Sequence, residues 1–202
     1  KSMLDKLTME YAGGQVLAVN EAVKANKLVQ IACGVAYGAD GEHVKLPNNE
    51  RIDVVHELIE QSEGKVIVFV PYSHTIQLVA RYLTSKGVTN EIIEGSVTAK
   101  VRADIISRFQ TAQDPRVLVI QPQAASHGVT LHAANTIVYW SPVMSVETYL
   151  QANARVHRAG QKNPSTVIHL QGSPVEKRMY KMLQEKVDVH NKIVDLYGEL
   201  LS

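Results

Sequence analysis

Short runs of β-branched and apolar residues alternate along this chain with stretches whose apolar positions recur every three or four residues. The runs KVIVFV (65–70), NEIIE (90–94), RVLVI (116–120), NTIVYW (135–140) and TVIHL (166–170) predict strands. Three of them are nearly all apolar, the composition of parallel strands covered on both faces. Between them, residues 50–62 set Ile52, Val55, Leu58 and Ile59 on one helical face. Residues 74–86 do the same with Ile76, Val79, Ala80 and Leu83, and Gly87 follows as a helix-ending residue. Residues 99–110 gather Val101, Ile105, Ile106 and Phe109 behind Thr98 as an N-cap. The alternation predicts an α/β fold: a doubly wound, mostly parallel sheet flanked by helices.

Two segments stand outside that core. Residues 15–33 read as one lead-in helix ending near Gly34, and YGADGEHV (37–44) carries the Asp-Gly signature of a hairpin or tight loop. Ser173-Pro174-Val175-Glu176 is a capping box with Pro at the first helical position. It predicts a long C-terminal helix with Met179, Met182, Leu183, Val187 and Ile193 along its inner face. The chain thus divides into a lead-in (1–45), an α/β core (46–172) and a terminal helix (173–202) within a single unit.

Composition narrows the function. Across 202 residues, 21 Lys plus Arg face 20 Asp plus Glu, for a net charge of +1. Binding to nucleic acid through bulk charge is excluded, so any such contact must be local. The single cysteine, Cys33, rules out an internal disulfide and a thiolate zinc cluster, and fits a small core residue in a reducing, cytoplasmic compartment. The longest purely apolar stretch, Val66 to Val70, is too short to span a bilayer, and no signal-peptide pattern opens the chain. The first residue is Lys, which leads to the expectation of a piece of something longer.

The stretch Gln151-Ala152-Asn153-Ala154-Arg155-Val156-His157-Arg158-Ala159-Gly160-Gln161 carries the candidate chemistry. A helix from Ser145 through Ala159 would place Gln151, Arg155 and Arg158 within a ~60° sector. Ala152, Val156 and Ala159 would then form an adjacent packing face. Two permanently charged, forked donors side by side suit a phosphate. The same face equally suits a solvated helix whose arginines meet Glu147 or other carboxylates. Residues 121–134 follow a buried strand at the end where open α/β sheets bind ligands. There Gly128 allows close backbone approach, and Ser126 and Thr130 offer hydroxyls; an ordinary loop with capping hydroxyls explains them as well. Ser96, Thr98, Lys100 and Arg102 crowd a helix start, which is either a phosphate site or a capped, solvated helix. His127 and His132 lack a carboxylate or Cys at ligand spacing, so no metal site is expected.

QANARVHRAGQ resembles the Gln-x-x-x-Arg-x-His-Arg-x-Gly-Gln box, motif VI, of the Swi/Snf family of superfamily 2 DNA translocases and helicases. In order along the chain, 65–83 resembles motif IV, EGSVTAKVRADIISRFQ (94–110) the Gly-Ser…Arg…Phe segment, 117–142 motif V, and the Ser173 helix with Lys186 the family's closing segment. The resemblance implies the second of two RecA-like lobes, with ATP and Mg2+ in a cleft closed by an N-terminal lobe of the same polypeptide. It implies arginine fingers at Arg155 and Arg158, with Gln151 and Gly128 on the ATP side. It also implies contacts from Ser96, Thr98, Lys100, Arg102, Ser126 and Thr130 to the backbone of double-stranded DNA. Thr130 and Asn135 stand where the family has Asn and Asp. No Gly-x-x-x-x-Gly-Lys-Ser/Thr loop and no Asp-Glu-x-His or Asp-Glu-x-Asp box occurs, so the chain is expected to be inactive alone. Compactness between motifs leans toward a bacterial or phage source. The rivals are a non-catalytic nucleic-acid-binding module and an RNA helicase lobe. Motif VI of the latter reads Gln-x-x-Gly-Arg-x-Gly-Arg, against Arg155-Val156-His157-Arg158 here.

Overall fold

The structure, a computed structural model, describes residues 29–31, 33, 35–37, 43–45, 49–125, 130–157 and 164–200, with backbone alone at 35–37, 43–45, 49, 191 and 193–200. A two-stranded antiparallel ribbon comes first, β1 (Val35–Tyr37) against β2 (His43–Lys45), with Tyr37 opposite His43. The expected hairpin is therefore present. Of the expected 15–33 helix, Val29–Ile31 is helical, and the rest lies outside the described residues apart from the turn at Cys33.

The core alternates α1 (Asn49–Gln61), β3 (Lys65–Phe69), α2 (Ser73–Ser85), β4 (Asn90–Ile93), α3 (Ala99–Thr111) and β5 (Val117–Ile120). It continues through the single turn α4 (Pro122–Ala125), then β6 (Ala134–Tyr139), α5 (Val146–Val156), β7 (Thr166–His169) and α6 (Pro174–Leu200). The five strands β3 to β7 form one sheet in the order β4-β5-β3-β6-β7, and every pairing is parallel. The doubly wound α/β expectation holds.

Strand alternation sorts the core into two layers. Ile67, Phe69, Leu118, Ile120, Ile137 and Tyr139 pack with α3, α5 and α6. Val66, Val68, Val117, Val119, Val138 and Trp140, one residue out of phase, pack with α1, α2, Val29 and Cys33. Burying each such side chain contributes roughly 1.5–3 kcal/mol, which is why the central strands read as unbroken apolar runs. Burial also pushes the Cys33 thiol up to about 12, the behaviour of an inert core residue.

Local signals act as expected at two helix ends. Gly87, at φ 78°, closes α2: its N–H donates to the Thr84 carbonyl and the Val88 N–H to Leu83, while Val88 and Leu83 share the core. At α6 the Glu176 N–H donates to Ser173 Oγ (3.3 Å), and the Ser173 hydroxyl and Gly172 N–H donate to Glu176 Oε2 (3.0 and 2.9 Å). That carboxylate is fully buried because Arg51 of α1 grips it with both terminal nitrogens, at 2.7 and 2.8 Å. Arg51 also donates to the Trp140 carbonyl and lies over the Trp140 ring.

Three expectations need correction. Val101 is 51% exposed, because β4 is an edge strand and the first turn of α3 overhangs it; Ile105 and Phe109 make the core contact. Met182 is likewise 51% exposed. Tyr180, which stacks on His169 with ring centroids 4.4 Å apart, is buried in its place, beside the expected Leu183 and Val187. Finally, α5 ends at Val156 rather than Ala159, with His157 as its C-cap. The Arg155 carbonyl, which an extended helix would pair with residue 159, accepts the Leu131 N–H at 2.8 Å. The Ile193 side chain lies outside the described residues.

Candidate functional site

The helix that carries Gln151 and Arg155, α5, opens on Ser145, whose Oγ accepts the Thr148 N–H at 3.2 Å, with Glu147 in the first turn where the helix dipole favours a negative charge. Its inner face buries Tyr149, Ala152 and Val156. One turn apart on another face, Gln151 and Arg155 are each half-buried. Gln151 Nε2 donates to Glu147 Oε1 at 3.0 Å, so the carboxylate of the helix's first turn orients the amide. Arg158 lies outside the described residues.

Side chains the sequence reading passed over set the height and roll of α5. The Tyr139 hydroxyl, at the end of β6, donates to Asn153 Oδ1 at 3.0 Å. Tyr149 and His169 Nε2 share a hydrogen bond of 3.1 Å, and the rings of Phe69, Tyr139, Tyr149, His169 and Tyr180 follow one another beneath the helix. Burial lowers the His169 imidazole below its ordinary 6.5 and raises the phenols of Tyr139, Tyr149 and Tyr180. The aromatic residues were visible in the sequence. Their convergence depends on β6, β7 and α6 meeting, which no local pattern encodes.

The segment between β5 and β6 reaches α5 through the Leu131–Arg155 hydrogen bond. Thr130 is half-exposed there, whereas Ser126 and Gly128 lie outside the described residues. Gln110, in the last full turn of α3, grips two backbone groups of this segment, and its Nε2 also lies 3.4 Å from His132 Nδ1. Its Nε2 donates to the Thr130 carbonyl at 2.7 Å and its Oε1 accepts the Ala133 N–H at 2.8 Å.

The start of α3 collects the other candidates. Thr98 caps it, its Oγ1 accepting the Val101 N–H at 3.4 Å. Ser96, Thr98 and Lys100 are exposed, and half-buried Arg102 donates to the Val97 carbonyl at 3.3 Å. Neither Lys100 nor Arg102 has a carboxylate partner among the described residues. Two cations and two hydroxyls thus gather at the positive end of a helix dipole. No group of three His, Cys, Asp or Glu side chains among the described residues is placed to hold a metal ion. No described helix is long and apolar enough to cross a membrane.

A five-stranded parallel sheet in this order, flanked by helices on both faces, defines a RecA-like lobe. The chain belongs to the helicase conserved C-terminal domain family, whose signature matches residues 50–160, more than half its length. An "Uncharacterized ATP-dependent helicase" of Mycoplasma pneumoniae is 28% identical over 142 residues, covering 70% of this chain and 14% of the relative. The "CHD3-type chromatin-remodeling factor CHR7" of Arabidopsis thaliana is 27% identical over 145 residues, covering 71% of this chain and 12% of the relative. The chain therefore spans about an eighth of the length of these two relatives. Among solved structures, the C-terminal part of the Fun30 ATPase domain shares the fold, with TM-score 0.62 at 19% identity over 69% of this chain and 48% of that one. The Swi/Snf-type, superfamily 2 resemblance read from motif VI stands.

Proposed function

We propose that this chain is the second motor lobe of an ATP-dependent double-stranded DNA translocase or helicase. It works against an N-terminal RecA-like lobe of the same polypeptide, which holds most of the Mg2+–ATP. The observation that carries the reading is the placement of Arg155. It sits half-buried in the last turn of α5, one turn from Gln151, on a helix anchored by Tyr139, His169 and Leu131. A guanidinium never deprotonates near neutral pH and offers forked donors, so this donor set fits a phosphate.

When bound, ATP supplies the transferable γ-phosphoryl group. Arg155 and Arg158 stabilise the charge that develops on it, an effect worth about 10³–10⁵ in rate, or roughly 4–7 kcal/mol. By the motif resemblance Gln151 and Gly128 are assigned to the ATP side. Ser96, Thr98, Lys100, Arg102, Ser126 and Thr130 contact the DNA backbone through hydroxyls and a few cations, which suits a chain of net charge +1. The Arg155-Val156-His157-Arg158 form of the motif VI box, against Gly-Arg-x-Gly-Arg in RNA helicases, supports duplex DNA over RNA as the track.

The test is ATP turnover by the full-length polypeptide that contains this chain. Stimulation by duplex DNA and not by RNA is expected. Stimulation by RNA alone would make this an RNA helicase lobe. Absence of turnover with either would make it a binding module, and each of these two outcomes overturns the proposal.

A further inference from the structure

We infer that Gln110 is a positioning residue that couples the nucleic-acid end of α3 to the arginine end of α5. The inference rests on the motor reading above. α3 is a single helix of 13 residues, about 20 Å long, with Thr98, Lys100 and Arg102 at its start and Gln110 in its last full turn. Phe109 and Ile105 lock that helix into the core, at 0% and 3% exposure, so it moves as one rod. At its far end the Gln110 amide acts as a substitute peptide group. It donates to the Thr130 carbonyl (2.7 Å) and accepts from the Ala133 N–H (2.8 Å). Between those two positions lies Leu131, fully buried, whose N–H holds the Arg155 carbonyl at 2.8 Å and thereby terminates α5. A displacement at the start of α3 is therefore passed through one side-chain amide and one backbone hydrogen bond to the turn that carries Arg155. Only a side chain with a donor and an acceptor at this spacing completes the link.

Gln110→Glu keeps the size and the acceptor for Ala133 but sets a second oxygen against the Thr130 carbonyl. Gln110→Met keeps the length and removes both bonds. In the full-length protein both variants are expected to lower duplex-DNA-stimulated kcat by about 2- to 30-fold. Unstimulated turnover, the KM for ATP and duplex affinity are expected to stay within about twofold of wild type, since Gln110 itself touches neither ligand and holds its neighbours chiefly by backbone groups. A parallel fall of stimulated and unstimulated rates, unchanged stimulation in both variants, or loss of folding in both would overturn the inference and leave Gln110 a structural residue. A wild-type protein without DNA-stimulated turnover would overturn the motor reading, and the inference with it. Stimulated wild type with unaffected variants would overturn the inference alone.

Discussion

Replacing Arg51 with Met is expected to destabilise the lobe by about 3–5 kcal/mol, the usual cost of removing one partner from a buried ion pair. Glu176 is fully buried and Arg51 is 8% exposed at its side chain, so water reaches neither charge easily. Three features of the site would be lost together: the bidentate grip at 2.7 and 2.8 Å, the donation to the Trp140 carbonyl, and the guanidinium over the Trp140 ring. Met fills much of the volume, so the loss reports the stranded carboxylate more than a cavity. Ser173 and the Gly172 N–H still bind that carboxylate and soften the penalty, which argues for the lower half of the range. For a chain of about 200 residues each kcal/mol moves Tm by about 2–4 °C, so a fall of roughly 6–15 °C is expected. Thermal unfolding followed by circular dichroism measures it. Glu176→Gln alone strands the cation instead, and the double variant Arg51→Met/Glu176→Gln should lose less than the sum of the singles by about 1–3 kcal/mol. A single-variant shift below about 2 °C, or strict additivity in the double variant, would refute the claim that this pair joins α1 to the start of α6.

Two further predictions concern stability. The folded state holds His169 neutral by burial, below its ordinary 6.5, so its contribution is present above that value and is lost as pH falls through the lower folded one. His169→Gln should therefore flatten the fall in Tm between pH 7 and the acid range, measured across a buffer series; an unchanged slope would place the titrating group elsewhere. Gly87→Ala forces a Cβ into a left-handed backbone at φ 78°, with nothing within 4 Å for it to strike. The cost is then conformational alone, about 1 kcal/mol in urea unfolding, and a stabilised variant would contradict the assignment of Gly87 as the closing residue of α2.

Periodicity carried most of the fold into view because the sheet is covered on both faces, so β3 and β5 declare themselves as KVIVF and VLVI. The capping box was legible because Ser173 and Glu176 act within one helical turn. What escaped depends on partners distant in the chain. Arg51 and Glu176 are 125 residues apart, and nothing local marks either as buried. Val101 satisfies a helical wheel but overhangs an edge whose position follows from strand order. The early end of α5 arises from a hydrogen bond to Leu131 across the fold. Of the candidate site, Gln151 and Arg155 were legible as a pair on one helix. Gln110 and Asn153 were not, because a side-chain amide announces itself only when its partners are in place.

The most direct measurement of the central claim is duplex-DNA-stimulated ATP turnover by the full-length protein carrying Arg155→Ala. Arg155 lies at the end of an anchored helix and is not a fully buried core residue, so the variant is expected to fold with near-normal Tm. Its stimulated kcat should fall by about 10³-fold or more, the share of phosphoryl-transfer rate an arginine finger supplies. A folded variant turning over within about tenfold of wild type would contradict the assignment of Arg155 to the nucleotide.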